Sequence, residues 1–228
     1  LYISTGNQYT EPVVEESDAI VALDLDTGDK RWLRNFAPEH MNKQDIYHFG
    51  CEAWVDETRS TCSPINPKGQ GDREFGAPVV LTTLDDGSEL LLAGSKDGMM
   101  YALDPDHNGK LIWEKRLGRG GELGGIQYGF ATDGERAFVP ISDVNADFKA
   151  DGALISLDIK TGKVNWRMPS PDDTCEGKPA PCNNALTAAV TLTPQIIFAG
   201  SIDGYLRAYQ VQDGQLIWEY DTTQIVKG

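Results

Sequence analysis

One short pattern occurs four times in this 228-residue chain and constrains its fold more than any other feature. In each copy a small residue is followed by a polar residue, a glycine and finally a tryptophan, and the second copy has one extra residue. The copies are ALDLDTGDKRW (22–32), ALDPDHNGKLIW (102–113), SLDIKTGKVNW (156–166) and AYQVQDGQLIW (208–218). The last three tryptophans are 53 and 52 residues apart, which indicates a fold built from similar units.

The segments between the tryptophans read as short β-strands. The second unit contains GAPVVLTTL, SELLLAGS, MMYALDP and KLIWEKRL. The third contains GIQYGFATD (125–133), RAFVPIS, GALISLDI and VNWRMP, and the fourth divides in the same way. Four short strands per unit are typical of a β-propeller blade, so the sequence predicts an all-β fold. We expect one partial propeller domain over residues 1–228, with about four blades at 1–37, 73–118, 124–169 and 185–221.

The first unit offers only three strands, LYIST, AIVALDL and KRWLRNF. The sequence therefore predicts that the chain begins at the second strand of a blade and is a piece of a longer propeller. An incomplete ring leaves sheet edges unpaired, so we expect it to need the missing blades or to associate with itself. A polar insertion over residues 38–72 explains why 81 residues separate Trp32 from Trp113.

The acids of the repeat have a structural explanation. Asp24, Asp104 and Asp158 each follow a predicted third strand, where a carboxylate can accept backbone N–H groups of the turn. The glycine of each copy can take a positive φ, and the tryptophan ring can pack between neighbouring blades. Their repetition favours this structural role over catalysis.

The charge of the chain argues against some partners. Asp and Glu number 35 against 20 Lys and Arg, which gives a net charge of −15. This charge would repel nucleic acid and an anionic membrane surface, although it can equally reflect solubility alone. No stretch approaches the roughly 18 apolar residues of a membrane span.

The four cysteines form two close pairs in polar segments, Cys51 with Cys62 and Cys175 with Cys182. Neither pair has the C-x-x-C spacing of a zinc site, so the sequence favours two disulfides that close short loops. Disulfides place a protein in an oxidising compartment, so we expect a periplasmic or secreted protein. The alternative is four free thiols in a cytosolic protein.

The repeat A-x-D-x-x-T-G-x-x-x-W resembles the tryptophan-docking motif of the alcohol dehydrogenases that depend on pyrroloquinoline quinone (PQQ). LYISTGNQYT, LLLAGSKDGMMYALDPD, GRGGELGGIQYGFATDGERAFVPISD and FAGSIDGYLRAY are most similar to the polyvinyl-alcohol dehydrogenase branch. The likeness runs over nearly the whole chain. A non-catalytic outer-membrane assembly propeller carries the same repeat, so a protein-interaction scaffold without a cofactor is the alternative function.

The resemblance implies a quinoprotein dehydrogenase with eight blades around PQQ and a calcium ion. In such enzymes calcium acts as a Lewis acid, an Asp takes the hydroxyl proton, hydride passes to the quinone and electrons leave to a cytochrome c-type acceptor. It implies an alcohol substrate, secondary or polymeric. It also places the calcium-binding acid, the tryptophan floor under the quinone and the remaining blades outside residues 1–228, so the isolated chain should be inactive.

Four residues match binding positions of that family. Asn7 in TGN matches a calcium-ligating Asn, whose amide oxygen suits a hard cation, although it could be a turn residue. Lys96 in SKDGMMY matches the lysine that hydrogen-bonds the quinone, although it could lie in a solvated hairpin. Gln127 and Tyr128 fall where an Asn-Trp pair lies near the cofactor, and they could equally pack within a strand.

The general base is left open between two residues of NKQDIYHFGC. Asp45 matches the first acid of the D-x-W-D-Y-like run of the family, whereas the position usually assigned the base falls on His48. Either side chain can accept a proton. The alternative is that this segment is only a polar loop closed by a Cys51–Cys62 disulfide.

The cysteine spacing gives the first testable prediction. Close pairs favour short loop closures over bridges between distant blades, so Cys51 should bond Cys62 and Cys175 should bond Cys182. Peptide mapping without reduction should recover both linked pairs. Free thiols or crossed pairs would contradict both the disulfides and the oxidising compartment.

Overall fold

The fold is all-β in the computed structural model, which describes residues 1–7, 14–36, 73–121, 123–145, 147–172 and 174–224. Fifteen strands in these ranges form four antiparallel sheets, one of three strands and three of four. The same ranges contain no α-helix and one 3₁₀ turn at Thr222–Gln224. No helical segment there has the length and apolarity to span a membrane. The predicted fold class is confirmed.

Each sheet is a sequential antiparallel meander. The first contains β1 (Tyr2–Ser4), β2 (Ala19–Leu23) and β3 (Lys30–Asn35). The second contains β4 (Val80–Thr83), β5 (Glu89–Gly94), β6 (Met99–Asp104) and β7 (Lys110–Arg116). The third contains β8 (Ala131–Thr132), β9 (Arg136–Ile141), β10 (Ala153–Asp158) and β11 (Val164–Pro169). The fourth contains β12 (Thr191–Leu192), β13 (Ile196–Gly200), β14 (Tyr205–Gln210) and β15 (Leu216–Asp221).

The four sheets share one register. In each, the repeat tryptophan lies opposite the small residue of the motif, and the pairing shifts directly after that residue. The pairs are Ala22 with Trp32, Ala102 with Trp113, Ser156 with Trp166 and Ala208 with Trp218. The sequence repeat is therefore a structural repeat, and positions can be compared from blade to blade.

The repeat acids cap turns, as predicted. The Asp24 carboxylate accepts the backbone N–H groups of Asp26 and Thr27 at 2.9 Å each. The equivalent carboxylates of Asp104 and Asp158 accept N–H groups from their own turns. These acids are engaged in holding the turn that leads into the last strand.

Each of three tryptophan rings packs on the glycine of the next blade. A Cβ placed on Gly109 would lie 2.6 Å from the Trp32 ring, so only glycine leaves room there. Trp113 covers Gly162 and Trp166 covers Gly214 in the same way. All three glycines have a positive φ, between 63° and 75°. The rings thus join consecutive blades as expected.

Trp218 departs from that expectation. It has the same register as the other three tryptophans, but 46% of it is exposed in the described chain. Its ring stacks on Tyr220 of the same strand, with centroids 6.0 Å apart. The prediction that all four tryptophans pack between sheets is therefore wrong for this one.

The core lies between the sheets. Three apolar clusters each combine buried side chains from two consecutive sheets, as Leu92 with Ile155 and Leu154 with Ile197 show. β8 and β12, the first strands of neighbouring sheets, contact each other, whereas the last strands are largely exposed. Burial of apolar area between sheets is the main source of cohesion in such a stack.

The Cys175–Cys182 disulfide is confirmed, and its loop packs on a buried ion pair of the fourth blade. Asp203 binds Arg207 at 2.6 Å with both side chains fully buried, and Thr174 and Lys178 donate to the Asp203 carboxylate and carbonyl. Cys51 and Cys62 lie outside the described residues.

Hydrogen bonding keeps Asp203 ionised. Burial opposes this, but hydrogen bonds from Arg207, Ser201 and Thr174 outweigh it, so the pKa of its carboxyl lies below the ordinary value. A lowered pKa stabilises the fold at neutral pH, and this contribution is lost as the pH falls through the folded-state value.

The docking of Trp113 can be tested with one pair of variants of the third blade. Gly162 and Gly134 both have a positive φ, but a Cβ on Gly162 would lie 2.8 Å from the Trp113 ring, whereas nothing lies within 4 Å of one on Gly134. Gly134→Ala should lower the free energy of unfolding only through backbone strain, by about 1–2 kcal/mol. Gly162→Ala should lower the free energy of unfolding by about 1–3 kcal/mol more, because the added methyl group would also collide with the Trp113 ring.

The measurement is the free energy of unfolding from urea titrations monitored by circular dichroism. Equal losses in the two variants would contradict a packing role for the tryptophan ring. Such a result would leave backbone strain as the only reason for the repeat glycine.

Candidate functional site

One position differs in chemistry among otherwise equivalent blades. Where the second strand of each complete blade ends, a residue donates its backbone N–H to a carbonyl six residues before the first strand. These bonds join Lys96 to Glu74 (2.9 Å), Ser142 to Gly125 (2.9 Å) and Ile202 to Ala185 (3.1 Å). The backbone is the same in the three blades, but only the second carries two charged side chains here.

Those two side chains form an ion pair. Lys96 Nζ lies 2.8 Å from Glu74 Oε2, with 14% of the lysine side chain and 25% of the glutamate side chain exposed. Partial burial strengthens the attraction and also makes the pair costly to desolvate. Because neutral residues serve the other two blades, the architecture does not require these charges.

Two glycines that adjoin other predicted residues lie against the pair. A Cβ on Gly6, next to Asn7, would lie 2.9 Å from Glu74 Oε1. A Cβ on Gly76 would lie 3.8 Å from Lys96 Cδ and 2.5 Å from the carbonyl oxygen of Gln127. The fold therefore brings the neighbourhoods of Asn7, Lys96 and Gln127 together around one charged pair, although they come from separate parts of the sequence.

Gln127 and Tyr128 differ sharply from each other. Gln127 is 6% exposed, and its amide nitrogen donates to the carbonyl of Gly124. Tyr128 is 63% exposed. Neither lies within a strand, because the strand predicted over 125–133 is reduced to β8. Gln127 thus supports the loop beside Lys96, and the Tyr128 ring is open to solvent in the described chain.

Asn7 occupies a repeat position at which the complete blades carry acids. The equivalent residues, one after the Lys96 position, are Asp97, Asp143 and Asp203, and all three are buried. The carboxylate of each accepts at least one backbone N–H group. A neutral amide at this position distinguishes the first blade and suits either a turn or a ligand.

The site holds one residue that the sequence did not reveal. Glu74 follows the polar insertion, and its partner Lys96 lies 22 residues further on, so only the packed blade brings the two charges together. No spacing rule connects them. Asp45 and His48, the two candidates for the base, lie outside the described residues.

The residues around Lys96 match the needs of PQQ and calcium only in part. A partly buried lysine beside an amide-rich loop fits an anionic quinone, whereas the neighbouring Glu74 carboxylate would repel that quinone unless it faces a cation. In the ranges that the structure describes, no three His, Cys, Asp or Glu side chains are grouped to hold a metal. Calcium at Asn7 would need additional oxygen donors.

Comparison with known proteins defines the class. The family model described as "Outer membrane protein assembly factor BamB", a model of PQQ-type repeats, matches residues 16–225. The chain belongs to this family of repeat propellers.

Two curated relatives are more specific. The chain is 37% identical over 222 residues to the polyvinylalcohol dehydrogenase of a Pseudomonas species, covering 97% of this chain and 33% of the relative. It is also 37% identical over 225 residues to the polyvinylalcohol dehydrogenase of Sphingopyxis sp. (strain 113P3). The chain thus spans about a third of the length of these relatives.

Solved structures support the fold. Quinohemoprotein alcohol dehydrogenases of Comamonas testosteroni and Pseudomonas putida HK5 both superpose with a TM-score of 0.60, at 16% and 15% identity, over 96% of this chain and 35% and 32% of theirs. BamB from Moraxella catarrhalis superposes with a TM-score of 0.54 at 16% identity, over 95% of this chain and 52% of its own.

The blade comparison predicts how the ion pair contributes to stability. The double variant Glu74→Ala/Lys96→Ile copies the pair Ala185 and Ile202 of the fourth blade, so it should unfold within about 1 kcal/mol of the parent. Lys96→Ile alone should cost roughly 1–3 kcal/mol, because it removes one partner of a partly buried pair.

Chemical denaturation of the three proteins gives these values. A double variant that is less stable than Lys96→Ile would show that the charges support the blade. In that case the contrast between blades would have a structural cause.

Proposed function

We propose that this chain is the part of a quinoprotein dehydrogenase that contributes a positive charge to a PQQ site, and that the enzyme oxidises a secondary or polymeric alcohol. The observation that carries the proposal is the Lys96–Glu74 pair, which stands where equivalent blades have neutral residues. The 37% identity to polyvinylalcohol dehydrogenases supports this substrate class.

Bound PQQ would supply the oxidising chemistry by accepting a hydride, which carries two electrons, from the alcohol carbon. Lys96 would direct its ammonium group at a quinone oxygen, where negative charge develops. Glu74 holds Lys96 Nζ in place at 2.8 Å, and this limits the rotamers of a long side chain before the cofactor binds.

Asn7 would contribute an amide oxygen to calcium, with further oxygen donors from outside the described residues. The alcohol proton would pass to Asp45 or His48, as the sequence suggests, or to Glu74, which the structure adds as a candidate. Gln127 would support the site through the loop to which it is bound, and Tyr128 would offer an exposed ring at its edge.

The rest of the proposal concerns the whole protein. We expect a complete eight-bladed ring, a cytochrome c-type electron acceptor and a periplasmic or secreted location. The Cys175–Cys182 disulfide supports an oxidising compartment.

A second function remains, that of a non-catalytic scaffold. It is supported by the description of the matching family model and by the superposition on BamB. A scaffold has no need for a charged pair at one blade of several, and for this reason the dehydrogenase is the better supported of the two.

The test uses the full-length protein with PQQ and calcium, assayed by dye reduction with short secondary alcohols and with polyvinyl alcohol. Lys96→Ala should lower kcat roughly a hundredfold, because it removes a charge aimed at the developing anion. Asn7→Ala should raise the calcium concentration that gives half-maximal activity. Ile202→Ala, at the equivalent position of the fourth blade, is the matched control and should behave like the parent.

The same assay identifies the base. Asp45→Asn, His48→Gln and Glu74→Gln are compared, together with Asp72→Asn, the acid nearest to Glu74 in the sequence. The variant that lacks the true base should have a kcat about a hundredfold or more below that of the parent. Undiminished turnover in Lys96→Ala and Asn7→Ala, or no PQQ-dependent activity in the parent, would favour the scaffold.

A further inference from the structure

The glycine-rich segment GRGGELGG spans residues 118–125, and its described residues, 118–121 and 123–125, pack against the turn that carries Lys96. The N–H of Gly121 donates to the Lys96 carbonyl at 3.1 Å. A Cβ on Gly125 would lie 2.3 Å from that same carbonyl oxygen, and one on Gly120 would lie 2.2 Å from the backbone carbonyl of Asp97. The glycines are therefore needed for direct contact between the two backbones, and any side chain would push the Lys96 turn away.

A single buried carboxylate holds this glycine-rich segment from both ends. Asp143 Oδ2 accepts the N–H of Arg119 at 2.7 Å, and its Oδ1 accepts those of Gly120 at 3.1 Å and Gly125 at 2.9 Å. The Arg119 guanidinium in turn donates to the Asp143 carbonyl at 3.0 Å. Asp143 is only 2% exposed, so these bonds form in a shielded environment where each is strong.

The equivalent acids act differently. Asp97 Oδ1 accepts the N–H of Met99 at 3.1 Å, and Asp203 Oδ1 accepts that of Tyr205 at 3.0 Å, each two residues further along the chain. Asp143 instead binds the connection between the second and third blades. Within the described chain, Asp143 therefore fixes the segment that packs against the Lys96 turn. The acids at the same repeat position in the second and fourth blades instead accept an N–H group from their own turn.

We infer that Asp143 is a positioning residue for Lys96. Its carboxylate binds both ends of the glycine-rich segment, and that segment packs against the backbone of the Lys96 turn. Asp143 thereby fixes the position from which the Lys96 ammonium group reaches PQQ. The inference rests on the proposed function, because it assigns Asp143 a role only if Lys96 faces the cofactor.

The experiment compares Asp143→Ala and Asp143→Asn in the full-length protein. Affinity for PQQ, in the presence of calcium, is measured by quenching of tryptophan fluorescence. Backbone amide exchange over 119–125 reports on the segment, and kcat reports on turnover. Asp203→Asn is the matched control from the same repeat position, and it should lower the thermal midpoint because it weakens the partner of the buried Arg207.

Asp143→Ala should accelerate exchange, weaken PQQ binding about tenfold and lower kcat about ten- to a hundredfold through misplacement of Lys96. Asp143→Asn should lie between Ala and the parent, because its amide oxygen still accepts the bonds from Gly120 and Gly125. Asp203→Asn should leave PQQ affinity and kcat at the parental values.

Three results would overturn the inference. The first is faster exchange in Asp143→Ala with parental PQQ affinity and kcat, which would make the anchor structural only. The second is an equal loss of PQQ affinity in Asp203→Asn, which would trace the effect to stability, and the third is unchanged exchange in both Asp143 variants. Parental PQQ affinity and kcat in Lys96→Ala would instead contradict the proposed function, whatever the Asp143 variants show.

Discussion

The packing of the first three repeat tryptophans on a glycine of the next blade is the contact on which the rest of the structure depends. The ring lies so close to the glycine that no side chain fits beneath it, and the glycine also has a positive φ, which other residues rarely adopt. Because the same contact recurs from blade to blade, the sheets stack in one fixed relation. The ends of their second strands are consequently equivalent positions in space as well as in sequence.

That equivalence makes differences between blades informative. A feature that recurs in several blades serves the architecture, as the capping carboxylates of Asp24, Asp104 and Asp158 do in the first three. A feature present in one blade needs another explanation. The Lys96–Glu74 pair is of this second kind, and so is the use of Asp143 to bind the connection between two blades. Both lie around the same turn of the second blade.

Much of the fold could be predicted because the same motif recurs in each unit, so that each copy supports the interpretation of the others. The small residue, the glycine and the tryptophan fix register, turn and docking, so strands such as β6 and β10 were placed within a residue or two. β8 was predicted too long, since Gly125 and Ile126 pack against the Lys96 turn instead of extending a strand. Trp218 was predicted to be docked, but the described chain provides no glycine for its ring.

The site was predictable only in part. Lys96 stands out in the sequence by resemblance, and the fold places Gly6, the neighbour of Asn7, against Glu74. Gly76 lies close to both Lys96 and Gln127. Glu74 and Asp143 carry no sequence signal, because each acts through contacts between segments that only the stacked blades bring together. Asp45 and His48 belong to the insertion outside the described residues and stay predictions.

The central claim is that the second-blade turn carrying Lys96 faces the cofactor. A crystal structure of the full-length protein with PQQ and calcium tests it most directly. The account predicts Lys96 Nζ about 3 Å from a quinone oxygen, with the Asp143 bonds to the glycine-rich segment intact. PQQ bound away from the second blade, with Lys96 still paired only with Glu74, would contradict it.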